Sequence, residues 1–406
     1  MKKISILSLC LAAGLGASAQ QNVVKDAERA MKDNKSFSEV VTIITPAFSD
    51  PSTSNQAITY FIPGKAGFNE YNNLLGQRSL GRGDENTPKK MSEALLGGYG
   101  YLIKALPLDS LPDEKGKIKP KYSKQIFSEI AGHMNDFSNA AVDMWNDKNY
   151  KGAYDAWGIY LDLARDNRFA KLIPAIPDST LCDIAFNQAL AAWQAEDMAA
   201  SLQSFRKARE LGYSKKPLFE YAMAVASAAK DNDALLEFAS EGNKLYGNED
   251  IQFLNQIINY YLQTEKYDEA LNYLAKGIEE NPTNAQYYAL RGIIYDNQKE
   301  TAKAHDDYAK ALEINPNNGL ALFYMGRNIA AVAGAEQDAY DKPDYEQFKK
   351  NTIDPKYREA VGYLEKAYEA DPNNRGEVLK LLEILYYNLN DEAGLNSVKE
   401  RKDALD

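Results

Sequence analysis

Small, aromatic and polar positions recur along this chain at a fixed interval. The run Tyr267–Gly277 places Ala270, Leu274 and Gly277 at helical spacing, and Thr301–Ala311 places Ala304, Tyr308 and Ala311 at the same spacing. Ala270 and Ala304 are 34 positions apart, as are Pro282 and Pro316, and the stretches leading in from Ile251 and Ala285 keep the same interval. Positions three and four apart fall on one face of a helix, so each run reads as an amphipathic helix with a stripe of small and aromatic side chains. A proline cannot continue a helix and biases the residue before it away from helical geometry, so Pro282 and Pro316 end their helices. Thr283 followed by Gln286 predicts a capping box that opens the next one. The phrase recurs, with drift, at Ala153, Ser201, Ala234, Ala360 and Ala393. Two gaps are long. One holds Pro174–Pro177, a loop; the other predicts an insertion at about 331–351, polar and dispensable for folding.

A fixed period of this length marks a stack of supersecondary units. The pattern resembles the tetratricopeptide repeat, a 34-residue helix-turn-helix. In the unit starting at Ala285 the family's positions fall on Tyr288, Arg291, Gly292, Tyr295, Ala304, Tyr308, Ala311 and Pro316, and Arg291 alone departs. In the unit starting at Ile251 they fall on Leu254, Ile257, Ile258, Tyr261, Ala270, Leu274, Gly277 and Pro282. The resemblance implies an all-α, right-handed superhelical solenoid of antiparallel helix pairs. It covers residues 134–406 well and 22–106 loosely. Within the looser part Val23–Lys32 and Phe37–Phe48 predict one pair, and Asn55–Leu75 predicts a helix that Pro63 kinks or stops. Gly98, Leu102 and Ala105 predict its neighbour, with the glycines of Gly97–Gly100 allowing close packing. The expected organisation is therefore a signal at 1–19, degenerate helical repeats at 20–106, a Pro/Lys/Asp-rich linker at 107–121, and the main array at 122–406.

The start of the chain changes the picture of where it works. Lys2 and Lys3 precede an apolar run from Ile4 to Gly16, and Ala17-Ser18-Ala19 has the small-x-small form of a cleavage site, which predicts export and a mature start at Gln20. Leu9 precedes Cys10 where a lipid-anchoring signal has a small residue, so a lipid anchor is not expected. The expected location is periplasmic or associated with the outer membrane. After cleavage Cys182 is the one remaining cysteine, and no internal disulfide is expected. The chain has 406 residues and a formal net charge of −11, without a Lys/Arg-rich run, which argues against nucleic acid as a partner. No segment is apolar and long enough to span a membrane.

Candidate chemistry is sparse. Arg82-Gly83-Asp84 spells an adhesion tripeptide but reads as a polar loop, and Gly64-Lys65-Ala66-Gly67 lacks the rest of a phosphate loop. His133 and His305 have no cysteine or second histidine at ligand spacing, Cys182 reads as a small buried residue, and the carboxylate pairs Asp306-Asp307 and Glu279-Glu280 read as solvated faces. No metal, cofactor or catalytic centre is expected.

By resemblance, the first helix of each pair lines a concave groove. The positions that would face it include Trp145, then Phe186 and Trp193, then Phe219 and Met223, then Asn255 and Asn259, then Gln286, Asp296 and Asn297, then Phe323 and Arg327, and finally Tyr386 and Tyr387. Carboxamides both donate and accept, which suits a peptide backbone, and aromatic anchors suit an interface. Leu290, Leu320 and Tyr324 stand where some members of the family grip a terminal carboxylate, so that clamp is absent. The implied function is a non-catalytic scaffold of the bacterial cell envelope that binds a protein or peptide, of oligomeric state left open. The alternative is a glycan-binding component of an outer-membrane uptake system.

Overall fold

The computed structural model describes residues 21–112, 115–247 and 250–405. The expected export signal lies outside these residues. The chain divides into two compact units, 1–242 and 243–406. Both are built from helix pairs, and among the described residues the one β contact is a single bridge between Pro112 and Ile118. The protein is an all-α solenoid of paired helices. No helix among the described residues is long and apolar enough to cross a membrane.

The first unit opens with α1 (21–32) and α2 (Phe37–Ile44), the latter continued by a 3-10 turn at Thr45–Phe48. It continues with α3 (Ala57–Ser79), α4 (Thr87–Asp109), α5 (Ser123–Gly132), α6 (Met134–Asn146), α7 (Tyr150–Arg165), α8 (Asp178–Gln194), α9 (Met198–Glu210), α10 (Lys216–Ala229) and α11 (Asn232–Tyr246). Pro63, expected to kink or stop its helix, does not stop α3, which is clamped along α4. A Cβ on Gly67 would lie 2.5 Å from the Ala94 carbonyl oxygen, and one on Gly98 would lie 3.0 Å from that of Gly64. The backbones touch there, and this packing holds the helix through the residue that lacks an N–H.

The stretch 107–121, expected as the boundary, lies inside the first unit. Its first three residues complete α4. Asp109 then takes hydrogen bonds from the backbone N–H groups of Lys121 (2.9 Å), Tyr122 (2.8 Å) and Ser123 (2.7 Å) and from the Ser123 hydroxyl (2.7 Å). Burial pushes the Asp109 carboxyl up, but these four bonds outweigh it and hold it below its ordinary value. The loop is thus tied at both ends to one side chain.

The second unit holds α12 (Gln252–Gln263), α13 (Tyr267–Glu280), α14 (Ala285–Asn297), α15 (Thr301–Ile314), α16 (Gly319–Asp338), α17 (Tyr345–Phe348, followed by a π turn at Lys349–Ile353), α18 (Asp354–Ala370), α19 (Arg375–Asn388) and α20 (Glu392–Asp403). Ala304 is fully buried, and a Cβ on Gly292 would come within 2.5 Å of the Tyr308 ring, as the small positions require. The N-cap of α14 is Asn284, whose side chain accepts from the Gln286 N–H, and not Thr283, whose hydroxyl instead bonds Asn281. The insertion is also unlike its reading. The Ala-rich run Ala330–Ala335 continues α16 with Ala333 fully buried, and the remainder forms α17 with Phe348 packed against the core. Ala333 and Phe348 join the segment to the core, while 341–344 stay exposed.

The turns within pairs share one device. Asn34, Lys148, Glu196, Lys230, Glu265, Lys299 and Asn390 each follow the first helix of a pair with φ between 55° and 64°. The next residue returns its N–H to a carbonyl five positions back, as Glu300 does to Tyr295 (2.8 Å) and Asp391 to Tyr386 (2.9 Å). This left-handed closure satisfies the orphan carbonyls of the first helix. In four pairs the residue that closes the first helix also caps the second through an Asn or Asp side chain: Asn149, Asp197, Asp231 and Asp391. The pair α16–α18 carries the insertion in place of this turn.

Candidate interaction surface

Within the second unit, one stripe of α12 carries Asn255, Ile258, Asn259 and Leu262, and one stripe of α14 carries Gln286, Leu290 and Ile293. With the turn Asn315–Gly319, with Leu320 and Tyr324 of α16, and with Ala370 and Asp371, they line a cleft of about 560 Å³. That volume falls in the ordinary range of ligand sites. The floor is apolar, with Ile258 and Leu290 buried. The rim is made of carboxamides.

The amides differ in how far they are engaged. Gln286 Oε1 accepts from Asn318 Nδ2 at 3.1 Å, while Asn318 Oδ1 caps α16 by accepting from the Ala321 N–H at 2.8 Å. The Gln286 Nε2 donors stay open to the cleft. Asn255 is half-buried and Asn259 exposed, and neither side chain is paired among the described residues. They stand one helical turn apart, with Cβ atoms about 6 Å from each other. Two residues of an extended strand rise by roughly the same distance. Among the lining residues Asp371 is the sole charged one, and Leu290, Leu320 and Tyr324 all face the cleft. Apart from Asp371, the site offers neutral donors and acceptors over an apolar floor.

The other sequence-derived positions are placed as follows. Asp296 does not line the cleft. It accepts from the Tyr308 hydroxyl (2.8 Å) and from Asn328 Nδ2 (2.9 Å), so it ties three helices together. Burial, reinforced by the Asp296 charge, pushes the Tyr308 phenol well above its ordinary value. Asn297 is exposed and donates to the Ile293 carbonyl of its own helix (2.8 Å), and it too lies outside the cleft. Arg327 is exposed, with its guanidinium 5.1 Å from the centre of the Tyr324 ring. Phe323 is buried, and Tyr386 bonds Glu365.

In the first unit, Trp145 is half-buried and packs edge-on to Tyr150 (5.2 Å) and against Trp157 (6.3 Å), an internal role. Phe219 and Met223 are buried, because the register of α10 is displaced from the one read in the sequence. The exposed aromatic residue of that helix is Tyr221, which sequence reasoning missed. It lies 6.1 Å from Phe186 and 5.9 Å from Trp193, joining those two residues into one row of rings. Cys182 is buried, and its thiol donates to the Ser179 carbonyl. Also missed were Asn317, Asn318 and Asp371, which reach the cleft from turns that sequence reading treated only as helix ends.

Comparison with known proteins places a family on this geometry. Models of the tetratricopeptide repeat match residues 252–284 and 285–318, the pairs α12–α13 and α14–α15. Human tetratricopeptide repeat protein 13 is 38% identical over 61 residues, which is 15% of this chain and 7% of that protein. Regulator of microtubule dynamics protein 1 from Bos taurus is 24% identical over 220 residues, 45% of this chain and 68% of that protein. Among solved structures, the C-terminal part of a TPR repeat-containing protein from Cytophaga hutchinsonii superimposes with a TM-score of 0.39 at 19% identity, covering 66% of this chain and 95% of that one.

Proposed function

We propose that this chain, a tetratricopeptide-repeat protein, is an interaction scaffold that holds an extended, uncharged stretch of a partner polypeptide in the amide-rimmed cleft of its second unit. The observation that carries the reading is the pair Asn255 and Asn259, unpaired among the described residues and one turn apart over an apolar floor. A peptide backbone presents a donor and an acceptor at each residue, and a carboxamide matches both at once. Alternate side chains of the strand would descend toward Leu262, Leu290 and Leu320. The absence of Lys and Arg from the lining favours an internal segment over a chain terminus with its carboxylate.

The place of action belongs to the same proposal. The basic, apolar and small-residue order of residues 2–19 supports export to the cell envelope of a bacterium, with cleavage after Ala19. Amino-terminal sequencing of the protein recovered from its native host tests this; an intact Met1 or a lipid on Cys10 refutes it.

The cleft is tested with a photo-reactive residue at position 262 in cells, followed by mass spectrometry of the adduct. A polypeptide adduct that disappears on Asn255→Ala/Asn259→Ala, with the melting temperature unchanged, is the expected result. A glycan adduct or an adduct indifferent to the double substitution overturns the reading.

A further inference from the structure

The row of rings on the first unit is a separate site. Phe186 and Trp193 lie two turns apart on α8, about 10 Å along the helix axis. Tyr221 of α10 neighbours both, with its ring tilted 38° to Phe186 and 52° to Trp193. Tyr213 stacks on Phe186 at 4.5 Å with the planes 8° apart, which fixes that end of the row. Tyr221 is 41% exposed. Besides the Tyr213 hydroxyl and the Lys215 ammonium, which lies 5.2 Å from the centre of the Tyr213 ring at that end of the row, two polar groups accompany the rings: the Trp193 indole N–H and the Tyr221 hydroxyl. Neither has a hydrogen-bond partner among the described residues. Beside the rings, helical spacing places Leu190 on α8, between Phe186 and Trp193, and Ala224 on α10, one turn beyond Tyr221. Leu190 is half-buried and Ala224 exposed. Both positions extend the apolar surface, and neither offers a side-chain hydrogen bond.

We propose that this surface binds a proline-rich segment in the polyproline II conformation. A polyproline II chain makes no internal hydrogen bonds, so its carbonyls need external donors, and one three-residue turn advances about 9 Å, close to the length of the row. Proline rings pack flat on aromatic faces and against the Leu190 side chain, and the two free ring donors meet the carbonyls between them. Sugars also stack on aromatic rings, but they bring hydroxyl groups that need partners on all sides, and Leu190 and Ala224 supply none. The surface therefore selects a ligand rich in acceptors and flat apolar faces and poor in donors, which describes proline.

The test is isothermal titration of the full-length chain with acetylated, amidated hexaproline and, separately, with maltohexaose. Hexaproline should bind and maltohexaose should not. Trp193→Phe and Tyr221→Phe each keep an aromatic ring and remove one donor, and each should weaken binding roughly three- to tenfold, the worth of one hydrogen bond. Tyr221→Ala should abolish binding with an unchanged circular dichroism spectrum, since the side chain is exposed. The Asn255→Ala/Asn259→Ala variant should bind hexaproline as the native chain does. Failure of the native chain to bind, binding unchanged in Tyr221→Ala, binding lost in the double asparagine variant, or a preference for maltohexaose each overturns the proposal. None of these bears on the crosslinking result at position 262, except loss in the double variant, which moves the probe to that cleft.

Discussion

The Arg291 guanidinium clasps the Asp307 carboxylate with two hydrogen bonds, Nε to Oδ2 at 2.8 Å and Nη2 to Oδ1 at 2.7 Å. Arg291 is the one residue of its unit that departs from the repeat pattern, and its partner on the facing helix is buried, with a side chain 8% exposed. The hydrogen bonds to Asp307 raise the Arg291 value above its already high ordinary one, so the guanidinium stays charged throughout the accessible pH range. Arg291→Ala leaves a buried carboxylate without its counter-charge, and the expected loss is about 3 kcal/mol or more. Arg291→Leu with Asp307→Leu should recover most of it. Chemical denaturation of the two single variants and the double variant checks this; additive losses would refute the coupling.

Gly292 faces Tyr308 across the same pair of helices. Gly292→Ala adds a methyl group 2.5 Å from a fully buried ring. Overpacking costs about 1–3 kcal/mol, while alanine gains about 1 kcal/mol of helix propensity over glycine. The net is a loss of up to about 2 kcal/mol, read as a lower midpoint in urea. A raised midpoint would show that the helices have room to part.

Glu365 carries an acid dependence. Burial pushes its carboxyl up, but the hydrogen bonds from Arg401 (2.7 and 2.9 Å) and from Tyr386 (2.9 Å), with the Arg401 charge, outweigh it and hold it below the ordinary glutamate value. A carboxyl depressed in the folded state stabilises fully above its unfolded value, and the contribution is lost as pH falls through the folded one. The melting temperature of Glu365→Gln should therefore fall short of the native chain's near neutral pH and converge on it as the pH drops below the ordinary carboxylate range. Parallel curves across that range would contradict the assignment. The Arg401 end of α20 should lose hydrogen-exchange protection first.

Deletion of 331–351 is expected to destabilise the second unit, the reverse of what its polar composition suggests. It removes fully buried Ala333, the packed ring of Phe348, and Lys349, whose ammonium bonds both Asp354 (2.6 Å) and the Asn388 carbonyl (2.9 Å). Loss of soluble protein or a broadened melt is the expected result. A sharp melt at the native temperature would show the segment to be a passive insertion.

The repeats at α12–α15 were legible because close helix crossings need small residues, and Ala270, Gly292 and Ala304 announce them at fixed intervals. Asn255, Asn259 and Gln286 followed from the same period. The extension of α16 was hidden, since a run of alanines pairs with any neighbour and carries no end signal. The pair turns were hidden too: residues such as Lys299 and Glu265 adopt left-handed geometry where glycine would have marked the turn. In α10 the alternation of small apolar residues admits more than one register, and the wrong one turns Phe219 and Met223 outward in place of Tyr221. Asn318 and Asp371 reach the cleft from turns 53 positions apart, a meeting that no local pattern encodes.

Asn318 also bears on how the protein ages. An asparagine followed by glycine is the sequence in which the side-chain carbon is most open to attack by the next backbone nitrogen, closing a succinimide that releases ammonia and hydrolyses to aspartate or isoaspartate. Here the amide is held at both ends, to Ala321 and to Gln286, and a Cβ on the following Gly319 would lie 2.8 Å from Asp371 Cβ. Ring closure must wait until the first turn of α16 opens. The small mass gain at Asn318 thus becomes a slow clock of that opening. A carboxylate left there could no longer donate to Gln286, so each tick would loosen the rim of the cleft it reports on.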